Sequence, residues 1–118
     1  MGLQMDINDR TLVAALVGEL DYHQAERLRV QIDTAYDKSA CRNMILNMAE
    51  VTFMDSSGIG MIIGRYKHVE MRGGKLVLAG MNEHVTKLYE ISGLAKIIAK
   101  SASVDDAKMN ISNGFGGN

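Results

Sequence analysis

The residues best suited to chemistry in this 118-residue chain lie between Phe53 and Gly60, in the order Phe-Met-Asp-Ser-Ser-Gly-Ile-Gly. This segment joins a predicted buried strand to a predicted apolar helix. At the start of a helix, four backbone N–H groups lack intrahelical partners and the dipole leaves about half a positive charge. A phosphate on Ser57 would be stabilised by the dipole and repelled by Asp55. We therefore predict that Ser57 can be phosphorylated.

Such a modification would act as a binding switch. It replaces a small neutral hydroxyl with about −1.5 to −2 charges, so that a partner can no longer pack closely, while the backbone need hardly move. The alternative, which composition alone favours, is that Asp55, Ser56 and Ser57 serve only as loop and helix-capping residues.

Two enzyme classes use similar residues and do not fit the spacing. A hydrolase nucleophile elbow requires G-x-S-x-G, whereas the sequence has Met54 at the first position of that pattern. Dinucleotide binding requires G-x-G-x-x-G, but Gly58 and Gly60 are followed by Gly64, and the chain contains no G-x-x-x-x-G-K-[ST] phosphate loop. We expect a protein that is not an enzyme.

Metals and cofactors are also not expected. His23, His68 and His84 are dispersed and lack the spacing of metal ligands, so we interpret them as surface residues. Cys41 is the only cysteine, which excludes an internal disulfide, and it opens an apolar segment, as a buried core residue would.

Charge and hydropathy exclude further classes of partner. The 13 Lys and Arg residues are interspersed among 14 Asp and Glu, giving a net charge of −1, so no field directs the chain to nucleic acid or to a membrane surface. The apolar runs are shorter than the roughly 20 residues of a membrane-spanning helix. Residues 1–9 lack the pattern of a secretory signal, so we expect a cytoplasmic protein.

The hydrophobic periods predict strands alternating with helices. Alternating apolar and polar residues at 3–7 and a second apolar, β-branched run at 11–17 predict an N-terminal hairpin. Further strands are predicted at residues 43–48, 75–79 and 97–99. Residues 50–56 are interpreted as a connection. Spacings of three and four predict four helices. They are a helix from Tyr22 to Tyr36 capped by Asp21, one from Ser57 to Val69, a short one capped by Asn82 that ends at Tyr89, and one from Val104 to Ile111. In the second helix, Arg65 is expected to lie off the apolar face.

These elements predict an α/β protein of one domain. Helical crossovers make the strands after the hairpin parallel, so the sheet should be mixed and mostly parallel, with four to five strands and about four helices. The domain should span residues 1–112. Residues 113–118 carry too little apolar surface to offset the entropy of ordering, and we expect them to be disordered.

The sequence resembles the STAS-domain anti-sigma factor antagonists, and in particular their sporulation members. The resemblance covers nearly the whole chain, and four segments carry it: Gly18-Glu-Leu-Asp-Tyr-His23, Phe53 to Gly60, Gly64-Arg-Tyr-Lys67 and Ser92-Gly-Leu94. The fold implied is the STAS fold.

The resemblance also implies a partner-switching cycle. The unphosphorylated antagonist would bind an anti-sigma factor that is also a serine kinase, which frees a sporulation sigma factor. The kinase would then phosphorylate the second serine of the motif, Ser57, and a metal-dependent phosphatase of the PP2C type would reverse the modification. Asp21 and Asp55 match the acidic positions that flank the site, and we expect partners to contact Asp21, Asp55, Ser56, Ser57 and Gly58.

Several alternatives stay open. The chain could be a stress-response antagonist, although such proteins often use threonine as the acceptor, or a STAS scaffold or ligand-binding module that is never phosphorylated. Tyr22 stands where histidine is common in the sporulation members, which could alter partner contacts. Antagonists of this kind look like monomers when free.

Overall fold

The fold is built on one five-stranded sheet. The computed structural model describes residues 2–113, and its strands are β1 (Gly2–Asn8), β2 (Thr11–Leu20), β3 (Asn43–Met54), β4 (Leu76–Ala79) and β5 (Ala99–Ser101). The strands lie in the sheet in the order β1-β2-β3-β4-β5, with β1 antiparallel to β2 and every later pair parallel. The predicted mixed sheet and hairpin are confirmed.

Four helices connect or follow these strands. They are α1 (Tyr22–Lys38), α2 (Ser56–Met71), α3 (Glu83–Ile91) and α4 (Val104–Ser112), and a short 3-10 helix spans Leu94–Lys96. Their number and approximate positions are as predicted.

The period of two in the strands divides the core into two layers. Leu12, Ala14 and Leu16 of β2 face the larger core, which is completed by apolar residues of α1, α2 and α3. Val13 faces the opposite side of the sheet, where Ala107 of α4 covers it. Helices on both faces explain why the central strands are nearly continuous apolar runs.

The bounds of all five strands differ from those predicted, and two of the differences have a clear structural cause. Residues 50–54, interpreted as a connection, continue β3, because they pair with the second half of β2 through two register shifts. The pairing satisfies the backbone N–H and C=O groups of this segment. The last strand, expected at residues 97–99, lies at Ala99–Ser101 because the 3-10 helix uses the residues before it.

The predicted disordered tail, residues 113–118, lies outside the described residues except for Asn113, which is the C-cap of α4.

Candidate functional site

All four helices begin at the same edge of the sheet. Each follows one of the parallel strands, and its N-cap side chain accepts a hydrogen bond from a backbone N–H in the first turn; the N-caps are Asp21, Asp55, Asn82 and Ser103. The positive ends of four helix dipoles therefore lie at the carboxyl edge of the sheet. The residues that the sequence singled out lie at this edge.

The start of α2 is organised by Asp55. Its Oδ1 accepts hydrogen bonds from Ser57 N at 2.9 Å and Gly58 N at 3.3 Å, and its backbone oxygen accepts the first helical bond from Ile59 N at 3.2 Å. Ser56 and Ser57 are thus the first two residues of the helix, and the carboxylate of Asp55 provides the cap. The Oγ of Ser57 makes no hydrogen bond within residues 2–113. Ser57 is partly exposed, and its neighbour Ser56 is exposed.

Gly58 is buried and sets how closely α2 approaches the strands. A β-carbon there would lie 2.6 Å from Cγ of Met54 and 2.9 Å from the backbone oxygen of Leu20. Both distances are shorter than any real contact, so glycine is required by packing. Gly58 contributes to the site by fixing the position of Ser57, and its own contact with a partner stays a prediction.

Asp21 and Asp55 end neighbouring strands. Leu20 of β2 pairs with Met54 of β3, and the backbone N–H of Asp55 donates to Leu20 O at 3.4 Å. The two carboxylates cap α1 and α2 respectively, Asp21 through Gln24 N at 3.1 Å. The fold therefore brings Asp21 close to the start of α2, and the contact of these residues with a partner stays a prediction.

A cleft of about 300 Å³, which sequence reasoning missed, runs between α1 and α2 from Ser57. The α2 side is lined by Ser57, Gly60, Met61, Gly64 and Arg65, and the α1 side by Tyr22, Ala25, Glu26 and Arg29. Tyr22 stands at its mouth with 73% of its surface exposed.

The outer wall of the cleft carries an ion pair within α1. Arg29 binds the carboxylate of Glu26 through Nε, at 3.1 Å, and through Nη2. The hydrogen bonds from Arg29 lower the pKa of Glu26, and the carboxylate in turn raises the pKa of Arg29. Both side chains are solvent-exposed, and their charges compensate each other at the rim.

Arg65 is buried, although we expected it to lie off the apolar face of α2. It is only 6% exposed, and its Nε lies 2.8 Å from Oδ1 of Asp33 on α1, without the alignment of a hydrogen bond. Burial lowers the pKa of Arg65, and the nearby carboxylate of Asp33 partly opposes that shift. The spacing of apolar residues could not predict the burial of Arg65, because the carboxylate that compensates its charge lies 32 positions earlier in the chain.

The histidines lie apart from the cleft. His23 and His84 are exposed, whereas His68 is partly exposed with Nε2 2.8 Å from Oδ1 of Asp37. Cys41 is buried, as predicted. Across the described range 2–113, no group of three or more His, Cys, Asp or Glu side chains is placed to hold a metal ion. Within that same range, no helix has the length and apolar character needed to cross a bilayer.

Comparison with known proteins identifies the fold and its relatives. Residues 2–107 match the family model of the STAS domain. The chain is 38% identical to an anti-sigma F factor antagonist from Paenibacillus polymyxa over 96 residues, which cover 81% of this chain and 82% of the relative. It is 31% identical to an anti-sigma-B factor antagonist from Bacillus subtilis over 104 residues, which cover 86% and 94% of the two chains.

Solved structures of anti-sigma factor antagonists have a similar fold. The unphosphorylated form of the anti-sigma factor antagonist SpoIIAA, stage II sporulation protein AA, superposes with a TM-score of 0.74 at 28% identity, covering 96% of this chain and 99% of the other. The phosphorylated form of the Bacillus protein superposes with a TM-score of 0.72 at 30% identity, covering 92% and 98%.

Proposed function

This chain belongs to the STAS-domain family, and we propose that it is an anti-sigma factor antagonist that binds an anti-sigma factor while Ser57 is unphosphorylated. The observation that carries the proposal is the setting of Ser57. It lies in the first turn of α2, partly exposed, with an Oγ that makes no hydrogen bond within residues 2–113. A hydroxyl in this setting is accessible to a kinase.

Phosphorylation of Ser57 would switch the surface without refolding the chain. The phosphate would meet the positive end of the α2 dipole, while the cap carboxylate of Asp55 would repel it. Because these two effects oppose each other, we expect the fold to be retained. The modification changes the charge and the size of the surface that a partner contacts. A dianion at the centre of an interface prevents close packing and adds an uncompensated charge, so affinity falls.

The partners are proposed by analogy with the family. We propose that the anti-sigma factor is also the serine kinase that modifies Ser57, that a PP2C-type phosphatase restores the serine, and that the chain acts by binding and not by catalysis. We further propose that it does so as a monomer in the cytoplasm. Asp21, Asp55, Ser56 and the mouth of the cleft surround Ser57 and form the rest of the binding surface.

The first test is phosphorylation with the anti-sigma factor kinase encoded in the same genome. With ATP, mass spectrometry should find one phosphate, on Ser57, and Ser57→Ala should abolish it. Ser56→Ala is the matched control, because it removes the neighbouring hydroxyl and should leave the modification intact. Full phosphorylation of Ser57→Ala would contradict the assignment.

The second test is binding. The unphosphorylated chain should bind the anti-sigma factor, and both phosphorylation and Ser57→Asp should weaken binding, the latter less because a carboxylate carries less charge than a phosphate. A set of captured partners that is indifferent to phosphatase treatment would favour a STAS scaffold that is never phosphorylated.

We propose a sporulation role over a stress-response role. The identity is higher to the anti-sigma F factor antagonist, at 38%, than to the anti-sigma-B factor antagonist, at 31%. Calorimetry with the anti-sigma F factor of Paenibacillus polymyxa and the anti-sigma-B factor of Bacillus subtilis separates the two. Tighter binding to the second protein would reverse the assignment.

A further inference from the structure

Two glycines in the middle of α2 are not required by the packing of the chain. Glycine is the least favourable residue after proline inside a helix. A β-carbon at Gly60 or at Gly64 would meet no heavy atom within 4 Å, in contrast to the crowded Gly58. Both glycines line the cleft between α1 and α2. Their absent side chains keep this cleft open.

A buried arginine with unused donors lines the same cleft. Arg65 is 6% exposed, and within residues 2–113 its only hydrogen bond runs from Nη1 to Met61 O at the long distance of 3.5 Å. The contact of its Nε with Asp33 lacks hydrogen-bond geometry, and Nε is buried without a hydrogen-bond partner. Nη2 has no protein partner within residues 2–113 and is reached by solvent. A guanidinium has five N–H donors, so most donors of Arg65 have no protein partner and Nη2 is available to an acceptor from outside the chain.

We propose that the cleft receives an acidic side chain of the anti-sigma factor, which Arg65 binds through its Nη atoms, while Gly60 and Gly64 allow the partner to approach the helix closely. This inference rests on the proposed function and extends the binding surface along α2. A carboxylate matches the planar fork of a guanidinium. Asp33 contacts Nε of Arg65, which leaves the Nη atoms for the partner. At the rim of the cleft, the charges of Glu26 and Arg29 compensate each other.

The chemistry favours a carboxylate over an apolar group. An apolar side chain in the cleft would cover the donors of Arg65 and leave them without either water or a partner, which is unfavourable for a buried polar group. A lysine or arginine would be repelled by the guanidinium. A carboxylate supplies acceptors for the unused donors and leaves the ion pair with Asp33 in place.

The first arm of the test fills the cleft. Gly60→Ala, Gly64→Ala and the double variant should be at least as stable as the unchanged chain in urea unfolding, because alanine favours the helix. Their affinity for the anti-sigma factor from the same genome should nevertheless fall, by about tenfold or more for the double variant. Lys67→Ala, at an exposed position of the same helix, is the control that should leave affinity unchanged.

The second arm identifies the acidic group. Each Asp and Glu of the anti-sigma factor is changed to its amide and measured against the unchanged chain and against Arg65→Lys, which keeps the charge and loses the fork. One amide variant should weaken binding to the unchanged chain by about tenfold and have a much smaller effect on Arg65→Lys. Urea unfolding of Arg65→Lys verifies that it is folded.

The outcomes separate the inference from the proposed function. The inference is wrong if the double glycine variant binds as tightly as the unchanged chain, or if no acidic residue is coupled to Arg65, while Ser57→Asp still weakens binding. If the unchanged chain binds no anti-sigma factor, both are wrong.

Discussion

The backbone oxygen of Leu20 would lie 2.9 Å from a β-carbon at position 58, so the first turn of α2 is in contact with the end of β2 through Gly58. Ser57 is adjacent to this contact and is therefore held by the sheet and not by a mobile loop. A kinase or a partner meets the hydroxyl at a fixed position, which reduces the entropy lost when an interface forms around it.

Gly58→Ala should destabilise the protein and displace Ser57. The added methyl group is too close to Met54 and to the backbone of Leu20, and overpacking of this kind costs about 1–3 kcal/mol. Urea unfolding measures the change, and the rate of phosphorylation of Ser57 should fall with it. Gly60→Ala is the control in the same helix, where the new methyl group enters open space and stability should not fall.

Asp55→Ala should weaken the start of α2. The change removes the acceptor for Ser57 N and Gly58 N, and the loss of an N-cap costs about 0.5–2 kcal/mol. Asp55→Asn keeps an oxygen acceptor and should retain most of the stability while removing the charge that repels a phosphate on Ser57. If both variants unfold at the same urea concentration, the cap does not contribute as we describe.

Arg65→Gln should be strongly destabilising, because it removes the buried partner of the Asp33 carboxylate and leaves only the more distant Arg29, at 3.7 Å. Breaking a buried pair costs about 3–5 kcal/mol, and we expect the lower end because Asp33 retains some contact with water. The double variant with Asp33→Asn should recover part of the loss. Glu26→Gln is the control, since it breaks an exposed pair and should leave the unfolding midpoint unchanged.

Tyr22→Ala should lower the affinity for the anti-sigma factor without changing stability. The ring is 73% exposed and stands at the mouth of the cleft, where burial by a partner would make it an anchor. We expect a loss of affinity of about fivefold or more, and a change in unfolding free energy within about 0.5 kcal/mol. Calorimetry and urea unfolding of the same sample distinguish the two effects, and an unchanged affinity would place Tyr22 outside the interface.

Most of the fold could be predicted from the sequence, because the spacing of apolar residues along a segment indicates whether it is a strand or a helix. The change from period two to spacings of three and four at Tyr22 located the first crossover helix, and Asp21 and Asn82 were identified as caps by residue type. Prediction was weaker where pairing overrides local preference: residues 50–54 form strand because β2 supplies their hydrogen bonds.

Part of the candidate site could likewise be located from the sequence, and part of it could not. Ser57 and Asp55 could be located from the sequence, because a strand, small and acidic residues and an apolar helix follow one another within a few positions, and local chain geometry then fixes the helix start. The burial of Arg65 and the cleft beside it were decided by the tertiary structure alone. They depend on the distance between α1 and α2 and on a carboxylate 32 residues away, and no local pattern in the sequence encodes the approach of two such distant segments.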